Sequence, residues 1–387
     1  MSGARTTELL RRLVGFDTVS SKSNLALIDF VADLLDARGI GVELTRDDDG
    51  TQANLFATVG PADRPGVVLS GHTDVVPVEG QAWSSDPFEV TERDGRLHGR
   101  GTADMKGFLA AALAAIGDVD PAGLRSPVHL AFSYGEEVGC VGAPRMIAAL
   151  ERSGRPRPRA VIVGEPTNLS VVHAHKGICT LRTTVHGHAA HSSLPDAGAG
   201  AISIAAEIVR FLAGLADEMR RRGGVAAGFD VPCTTLNVGS IEGGTAVNVI
   251  PARCRFEWEF RTLPDADAEE IPRRLDEFLR AEILPRERAR GFEVRVETER
   301  TASAPALVPS PDSPALRLAF ELVGEGTPGA VSFVTEAGLF QGAGMPAVVC
   351  GPGSIEQAHK PDEFITVAQL AAGERFVRRV IEKAADA

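Results

Sequence analysis

Several features that define other classes of protein are missing from this sequence. Its 387 residues include five cysteines, an odd number with no C-x-x-C pair, so we expect neither a disulfide framework nor a thiolate zinc site. No apolar run approaches the roughly 18–20 residues of a membrane span. The N-terminus is polar and lacks the apolar core of a secretory signal. These absences predict a cytoplasmic protein without a membrane anchor.

Clusters of positive charge are also absent. The chain carries 52 acidic and 40 basic residues, a net charge of −12. Its most arginine-rich stretch, residues 273–290, is interspersed with Glu and Asp and is typical of a solvated helix surface. We therefore expect neither nucleic acid nor an anionic membrane as a partner.

The length and the hydrophobic pattern predict two domains, one interrupted by the other. A chain of 387 residues exceeds the roughly 250–300 residues at which a single core stops growing. Short apolar runs alternate with helix-like stretches in the first half, which indicates an α/β fold with a largely parallel sheet. These runs are residues 67–70, 128–133 and 160–163, and a matching run, 347–350, comes only near the C-terminus.

The interruption has a different pattern. Strands are predicted at 178–186, 234–241, 252–261 and 292–299, and helices at 199–222 and 268–281. This βαββαβ order describes a ferredoxin-like sandwich. Residues 301–314, rich in Pro, Ser and Ala, are predicted to be a return linker. The predicted domains are thus 1–177 with 301–387, and 178–300.

Acidic and imidazole side chains follow the predicted strands of the first domain. They are His72 with Asp74, Glu136 with Glu137, Glu165 and His359, while Asp104 lies between the first two groups. Alone, each is a weak signal, since a His beside an Asp is commonly structural and a Glu-Glu pair is commonly a solvated turn. Together they can converge at the carboxyl ends of the strands. Nitrogen and oxygen ligands without thiolate suit zinc, cobalt or manganese, and Asp104 could bridge two ions.

Four blocks then carry a resemblance to a known family. They are Ser70 to Pro77 (SGHTDVVP), Gly99 to Gly107 (GRGTADMKG), Gly135 to Glu137 (GEE) and Gly164 to Thr167 (GEPT). With the late His359, the chain resembles the family of acetylornithine deacetylase, succinyl-diaminopimelate desuccinylase and carboxypeptidase G. The resemblance implies a zinc-aminopeptidase-like catalytic domain with a mixed, mostly parallel sheet, interrupted by a ferredoxin-like α+β domain that serves as a lid and in dimerisation.

The resemblance also implies roles for individual residues. One Zn²⁺ would be held by His72, Asp104 and Glu165, and a second by Asp104, Glu137 and His359, with Co²⁺ or Mn²⁺ as possible substitutes. Glu136 would be the general base, and the Asp74 carboxylate would accept the other ring N–H of His72. The peptide bond after Asp104 is typically cis in this family. No G-x-S-x-G elbow is present, which argues against a serine hydrolase.

Further blocks resemble the acetylornithine deacetylase branch, including Gly187 to Ser193, Thr335 to Ala337 and Gly351 to His359. They imply hydrolysis of an N-acyl amino acid, with N-acetylornithine as the first choice. Residues 197–202 lack the Asn expected before Ala-Ile, so other substrates stay open: succinyl-diaminopimelate, other N-acyl amino acids and dipeptides. An inactive paralogue that binds a metabolite is the non-enzyme alternative.

The remaining candidate residues concern the substrate. The resemblance implies that Arg261 and Asn248 bind its carboxylate, and that inserted domains pair in a homodimer in which His191 reaches the partner subunit's site to hydrogen-bond the oxyanion. The acidic Glu336, in a Thr-Glu-Ala turn, is a candidate to read the cationic δ-amine of ornithine.

Overall fold

The computed structural model describes residues 2–223 and 228–386. The chain divides into two compact units, Met1–His175 with Leu307–Ala387, and Lys176–Ala306. Within the described residues, none of the helices is long and apolar enough to cross a membrane.

Helices and strands alternate in the part of the first unit that precedes the insertion. In chain order they are α1 (Ser2–Val14), α2 (Leu25–Asp36), β1 (Val42–Arg46), β2 (Ala53–Val59), β3 (Val67–His72), β4 (Thr91–Arg93), β5 (Arg96–His98), α3 (Lys106–Ile116), β6 (Val128–Ser133), α4 (Ala143–Arg152), β7 (Ala160–Pro166) and β8 (Val172–His175). The second unit follows with β9 (Gly177–His186), β10 (Ala190–His191), α5 (Ala201–Arg222), β11 (Thr235–Gly243), β12 (Val249–Ile250), β13 (Arg253–Thr262), α6 (Glu270–Phe278), α7 (Leu284–Ala289) and β14 (Arg295–Ala304). The chain then returns to the first unit as α8 (Pro314–Val323), β15 (Gly329–Val331), α9 (Ala337–Gly342), β16 (Ala347–Gly351), β17 (Phe364–Thr366) and α10 (Val367–Asp386).

The first unit is built on an eight-stranded sheet in the order β1-β2-β6-β3-β7-β16-β8-β15. Its four central strands, β6, β3, β7 and β16, are parallel to one another. They are the four apolar runs of the sequence, and the predicted mixed, mostly parallel sheet is confirmed. Parallel strands need both faces covered, which explains why all four are predominantly apolar and buried along their whole length.

Side chains alternate between two hydrophobic cores on the faces of this sheet. Leu69 of β3 packs with helices α1, α3 and α10 on one face, whereas Val68 packs with α4 and α9 on the other. This alternation follows from the period of two residues in a strand. Helices on both faces leave the strand ends as the place where polar side chains can gather.

The second unit contains a four-stranded antiparallel sheet in the order β11-β13-β9-β14. With α5 and α6 the chain order is βαββαβ, as the sequence pattern predicts. Helix α5 contributes Ile204, Ile208 and Leu212 to a core that it shares with Phe256 and Trp258 of β13. A separate two-stranded ribbon joins β10 to β12.

The predicted boundaries and the predicted linker need correction. The second unit begins at Lys176 and ends at Ala306, whereas the sequence predicted residues 178 and 300. Thr301 to Ala304 are not linker but the end of β14, because Ala304 pairs with Ile178 across the sheet. Strand β14 is polar on its exposed face, so its small and hydroxylated end residues resemble a loop in composition.

Candidate metal-binding active site

His72 stands at the carboxyl end of β3 and meets two carboxylates. Its Nε2 atom lies 3.1 Å from Oδ1 of Asp104 and 3.7 Å from Oε1 of Glu165. Asp104 precedes α3, and the peptide bond between Asp104 and Met105 is cis, as the resemblance implied. Glu165 belongs to β7, next to β3 in the sheet. All three side chains are buried.

His359 meets Asp104 from the opposite side. Its Nε2 lies 3.5 Å from Oδ2 of Asp104 and 3.0 Å from Oε2 of Glu137. The backbone of His359 has a φ of +64°, which is uncommon for a non-glycine residue and is found where function constrains the chain. The His359 side chain is 56% exposed, so solvent reaches the cluster here.

Two overlapping sets of ligand atoms are close enough to share an ion. Atoms of His72, Glu136 and Glu165 lie within 4.8 Å of one another, and so do atoms of His72, Asp104 and Glu137. His359 joins these residues through Asp104 and Glu137, and Asp74 joins them through the amides of Glu136 and Glu137. The structure thus brings together the seven residues that the sequence singled out, and Asp104 contacts both histidines. A carboxylate between two imidazoles can bridge a pair of cations.

The charges of this cluster fit a cation. Burial raises the pKa of Glu136 and of Glu165 well above the ordinary value, and burial together with Asp104 raises that of Glu137 to about 7. Burial also opposes ionisation of Asp104, but hydrogen bonds with His359 and His72 outweigh it and hold its pKa below the usual range. Oε1 of Glu165 is buried without a hydrogen-bond partner among the described residues. Repelling carboxylates and an orphaned oxygen are the donor set that a divalent cation satisfies.

The role predicted for the Asp74 carboxylate is wrong in detail. The Nδ1–H of His72 donates to the backbone carbonyl of Asp74 at 2.8 Å, whereas the carboxylate lies 3.7 Å away. That carboxylate instead accepts the amides of Glu136 and Glu137 at 3.1 and 3.2 Å and the hydroxyl of Ser20 at 2.7 Å. Since Asp74 follows β3 and the Glu-Glu turn follows β6, it ties together two ends of the sheet.

Glu336 lies deeper than the sequence suggested. It is 1% exposed, and its Oε2 accepts the hydroxyl of Ser70, two residues before His72 on β3, at 3.1 Å. Burial raises the pKa of Glu336. This carboxylate therefore supports the strand that carries His72 from inside the protein.

Two residues that hold Asp104 in place were not predicted from the sequence. Oε1 of Glu363 accepts the amides of Ala103 and Asp104 at 2.9 and 3.1 Å, and its Oε2 accepts Nη1 of Arg100 at 2.8 Å. Glu363 and Arg100 are each 1% exposed. Their signals were present, since Arg100 stands in the GRGTADMKG block and Glu363 follows His359 by four residues, but only the fold shows that they meet.

Glu363→Gln is expected to destabilise the protein by about 3–5 kcal/mol, because it leaves the buried charge of Arg100 without its partner. Urea denaturation followed by circular dichroism measures the change. The matched control is Glu321→Gln, which breaks the exposed pair with Lys383 and should cost less than about 1 kcal/mol. Equal losses of unfolding free energy in the two variants would show that the buried pair with Arg100 contributes no more than an exposed one.

The three remaining candidates lie in the second unit. His191 ends β10 and pairs with Val249 of β12, and the amide of Ser192 donates to the backbone carbonyl of Asn248 at 3.0 Å. The ribbon thus brings His191 and Asn248 together. Arg261 lies on β13, where its Nε donates to Glu259 at 2.9 Å.

The ring of His191 has a defined tautomer. The amide of Ser193 donates to its Nδ1 at 3.2 Å, and the Ser193 hydroxyl lies 2.7 Å from the same atom. Because an amide can only donate, Nδ1 accepts and the proton of the neutral ring resides on Nε2. The exposed His191 therefore presents a donor to solvent.

Comparison with known proteins decides the family. The model of peptidase family M20/M25/M40 matches residues 68–383. The chain belongs to this family. It is accordingly a metal-dependent amidohydrolase, and the carboxylate–imidazole cluster is its candidate metal site.

Relatives cover nearly the whole chain. The chain is 39% identical to an acetylornithine deacetylase of Myxococcus xanthus over 96% of this chain and 95% of the relative, and 35% identical to one of Proteus mirabilis over 97% and 95%.

Solved structures of the M20 family share the fold. A metallo-carboxypeptidase from Sulfolobus solfataricus superposes with a TM-score of 0.76 at 19% identity, covering 99% of both chains. A dinuclear metal-binding peptidase from Bacillus subtilis has a TM-score of 0.64 at 17% identity, covering 99% of this chain and 98% of its own.

Proposed function

We propose that this protein hydrolyses N-acetylornithine to ornithine and acetate, a step of arginine biosynthesis. The observation that carries the proposal is near-full-length similarity to acetylornithine deacetylases at 34–39% identity. We also propose that it acts in the cytoplasm as a homodimer paired through the second unit. Five free cysteines agree with a reducing compartment.

His72, Asp104 and Glu165 would hold one ion, and Asp104, Glu137 and His359 the other. When bound, two zinc ions polarise the acyl carbonyl and lower the pKa of water, and cobalt or manganese can supply the same chemistry. The exposed side of His359 is the way in for substrate.

Glu136 is proposed as the proton carrier. It takes a proton from the attacking water and delivers it to the leaving amine, which makes it both general base and general acid. The Asp74 carboxylate accepts the backbone amides of Glu136 and Glu137 at 3.1 and 3.2 Å. It thereby fixes the backbone at Glu136 and so helps to orient the Glu136 side chain. Nε2–H of His191 reaches the site of the partner subunit and donates to the oxyanion there as the carbonyl becomes tetrahedral, and Arg261 and Asn248 bind the α-carboxylate.

A substrate panel tests the proposed function. Zinc-loaded protein is assayed for release of free amine from N-acetylornithine, N-succinyl-diaminopimelate, other N-acetyl amino acids and dipeptides. We expect the highest kcat/KM for N-acetylornithine. A higher kcat/KM for the succinyl substrate or for dipeptides would mean that this compound, and not N-acetylornithine, is the preferred substrate. If metal-loaded protein hydrolysed none of the amides, a metabolite-binding paralogue would be favoured.

The proposed homodimer predicts complementation between inactive variants. Loss of an oxyanion donor costs about 2.7–4 kcal/mol of transition-state stabilisation, so His191→Ala should lower kcat about 10²–10³-fold. If His191 serves the partner subunit, mixing His191→Ala with Glu136→Ala should restore activity, because one site of each hybrid dimer is complete. The control is Ser192→Ala in place of His191→Ala. Proven subunit exchange without recovery would mean that His191 acts within its own subunit or is structural.

Glu336→Gln separates the two roles open to this residue. If the Glu336 carboxylate binds the δ-amine, Glu336→Gln should raise KM more for N-acetylornithine than for N-acetyl amino acids with neutral side chains. Because Glu336 is 1% exposed and bonded to Ser70, we expect a supporting role, and hence an equal loss of kcat/KM on both substrates. Steady-state kinetics on the pair decides between them.

A further inference from the structure

A cavity of about 280 Å³ opens at the amino ends of the central strands, away from the metal cluster. Its lining includes His129, the second residue of β6, and Pro158, which precedes β7. The cluster lies past the other ends of the same strands, at Glu136 and Glu165. At about 3.3 Å per residue, a strand such as β7 spans roughly 20 Å. A molecule in this cavity would therefore not touch the catalytic residues.

Phe56 and His129 contribute part of the cavity wall, although each residue is only 4% exposed. The rings of Phe56 and His129 are stacked, with centroids 5.2 Å apart and planes inclined by 25°. Met345 and Leu150 extend the apolar lining. Burial, followed by the charge of Arg155, lowers the pKa of His129 to about 4, so this ring is neutral at physiological pH. The accessible parts of these rings favour contact with an apolar or aromatic body.

Two arginines of the lining have hydrogen-bond donors to spare. Arg155 pairs with Glu43 through Nη2 and lies 5.8 Å above the Phe56 ring, but its Nη1 is buried without a hydrogen-bond partner among the described residues. Arg157 forms no ion pair or hydrogen bond with any residue of 2–223 or 228–386. A buried donor left unpaired is costly, which indicates that something else supplies the acceptor.

The backbone of this arginine segment is also restrained before any ligand arrives. They alternate with Pro156 and Pro158, whose rings fix φ and stiffen the segment. Gly344 leaves room for Arg157, since a Cβ on Gly344 would lie 2.8 Å from Nη1 of Arg157. A rigid segment loses little entropy on binding.

We propose that this cavity is a second ligand site that takes a small organic anion. An apolar body would contact the accessible parts of the Phe56 and His129 rings, and a carboxylate or phosphate would accept donors of Arg155 and Arg157. Guanidinium groups suit both anions because they bind them bidentately. The cavity, about 280 Å³, is at the lower end of the usual range for small-molecule sites, about 300–1,000 Å³, so the ligand is of metabolite size.

Isothermal titration calorimetry on the metal-loaded full chain tests the ligand class. The probes are benzoate, which joins a ring to a carboxylate, and AMP, which joins a ring to a phosphate. Benzamide keeps a ring without charge, and inorganic phosphate keeps charge without a ring. We expect benzoate or AMP to bind at least about tenfold more tightly than benzamide and phosphate, a difference of about 1.4 kcal/mol, and the better of the two identifies the anion. Equal affinity for all four probes, or no binding, would overturn the proposal.

Variants locate the binding. Arg157→Gln should weaken binding of the better probe at least about tenfold. Arg157→Lys keeps the positive charge but loses the bidentate guanidinium group, so it should weaken binding less. Arg152→Gln is the matched control, because it removes one charge at the end of α4 outside the cavity lining and should leave affinity unchanged. Equal affinities in Arg157→Gln and wild type would place the probe elsewhere, for example at the metal cluster, and would contradict the site. Hydrolysis without probe should stay at the wild-type rate in all three, so this test is independent of the proposed function.

Discussion

Glu136→Gln is expected to lower kcat by about 10²–10⁴-fold, the usual contribution of a positioned general acid–base group, while metal content and fold stay unchanged. The physical reason is that the amide of Gln keeps the size and hydrogen bonding of the side chain but cannot accept a proton. The carboxylate is buried beside His72 and Glu165, so no solvent base can take its place efficiently.

The adjacent glutamate provides the matched control for this result. Glu137→Gln alters a side chain that lies 3.0 Å from His359 and is a proposed ligand, so it should reduce bound metal as well as activity. Metal content by plasma mass spectrometry and kcat on N-acetylornithine are measured on both variants. Retained turnover in clean Glu136→Gln protein, or an equal loss of metal in both, would refute the assignment of Glu136 as proton carrier.

Asp104→Ala is expected to remove activity below detection and to reduce bound metal from about two ions per chain to less than one. Asp104 is the carboxylate that contacts both His72 and His359, at 3.1 and 3.5 Å. Without it, neither half of the cluster keeps its ligands, and the remaining glutamates repel one another uncompensated.

Chelation of the wild type should reproduce this effect reversibly. Ions that bind the folded state alone stabilise it, so removal of metal should lower the melting temperature as well as activity, and added zinc should restore both. The same chelator should change nothing further in Asp104→Ala. Full activity in metal-free wild type, or a chelator effect of equal size in the variant, would contradict a metal site built around Asp104.

The proposed anion cavity shows what a local pattern cannot reveal. Arg155 and Arg157 stand in an ordinary Arg-Pro repeat, and His129 is a single imidazole inside a largely apolar strand. The His129 ring is buried, and its partner Phe56 comes from β2, which pairs with β6 in the sheet. The lining forms only when the strands are in register.

The sequence by itself determined the central architecture of this protein. The four apolar runs became β3, β6, β7 and β16 because a strand covered on both faces is predominantly apolar. The order βαββαβ of the inserted unit could also be predicted, because apolar residues recur about every two residues in a half-buried strand and about every 3.6 residues in a helix. The polar residues after those strands could also be predicted, because their position relative to the strand ends depends only on the local sequence.

Only the tertiary structure decided which side chains meet. Glu363 and Asp104 are separated by 259 positions, and no local pattern marks Glu363 as the acceptor of the Asp104 amide. The Asp74 carboxylate was expected at His72 but reaches the Glu136 turn, since strand β6 lies beside β3. Glu336 was expected to contact the δ-amine of the substrate, and it is buried under β3. Each of these contacts depends on which strands are neighbours, a property of the whole folded chain that single-sequence periodicity does not contain.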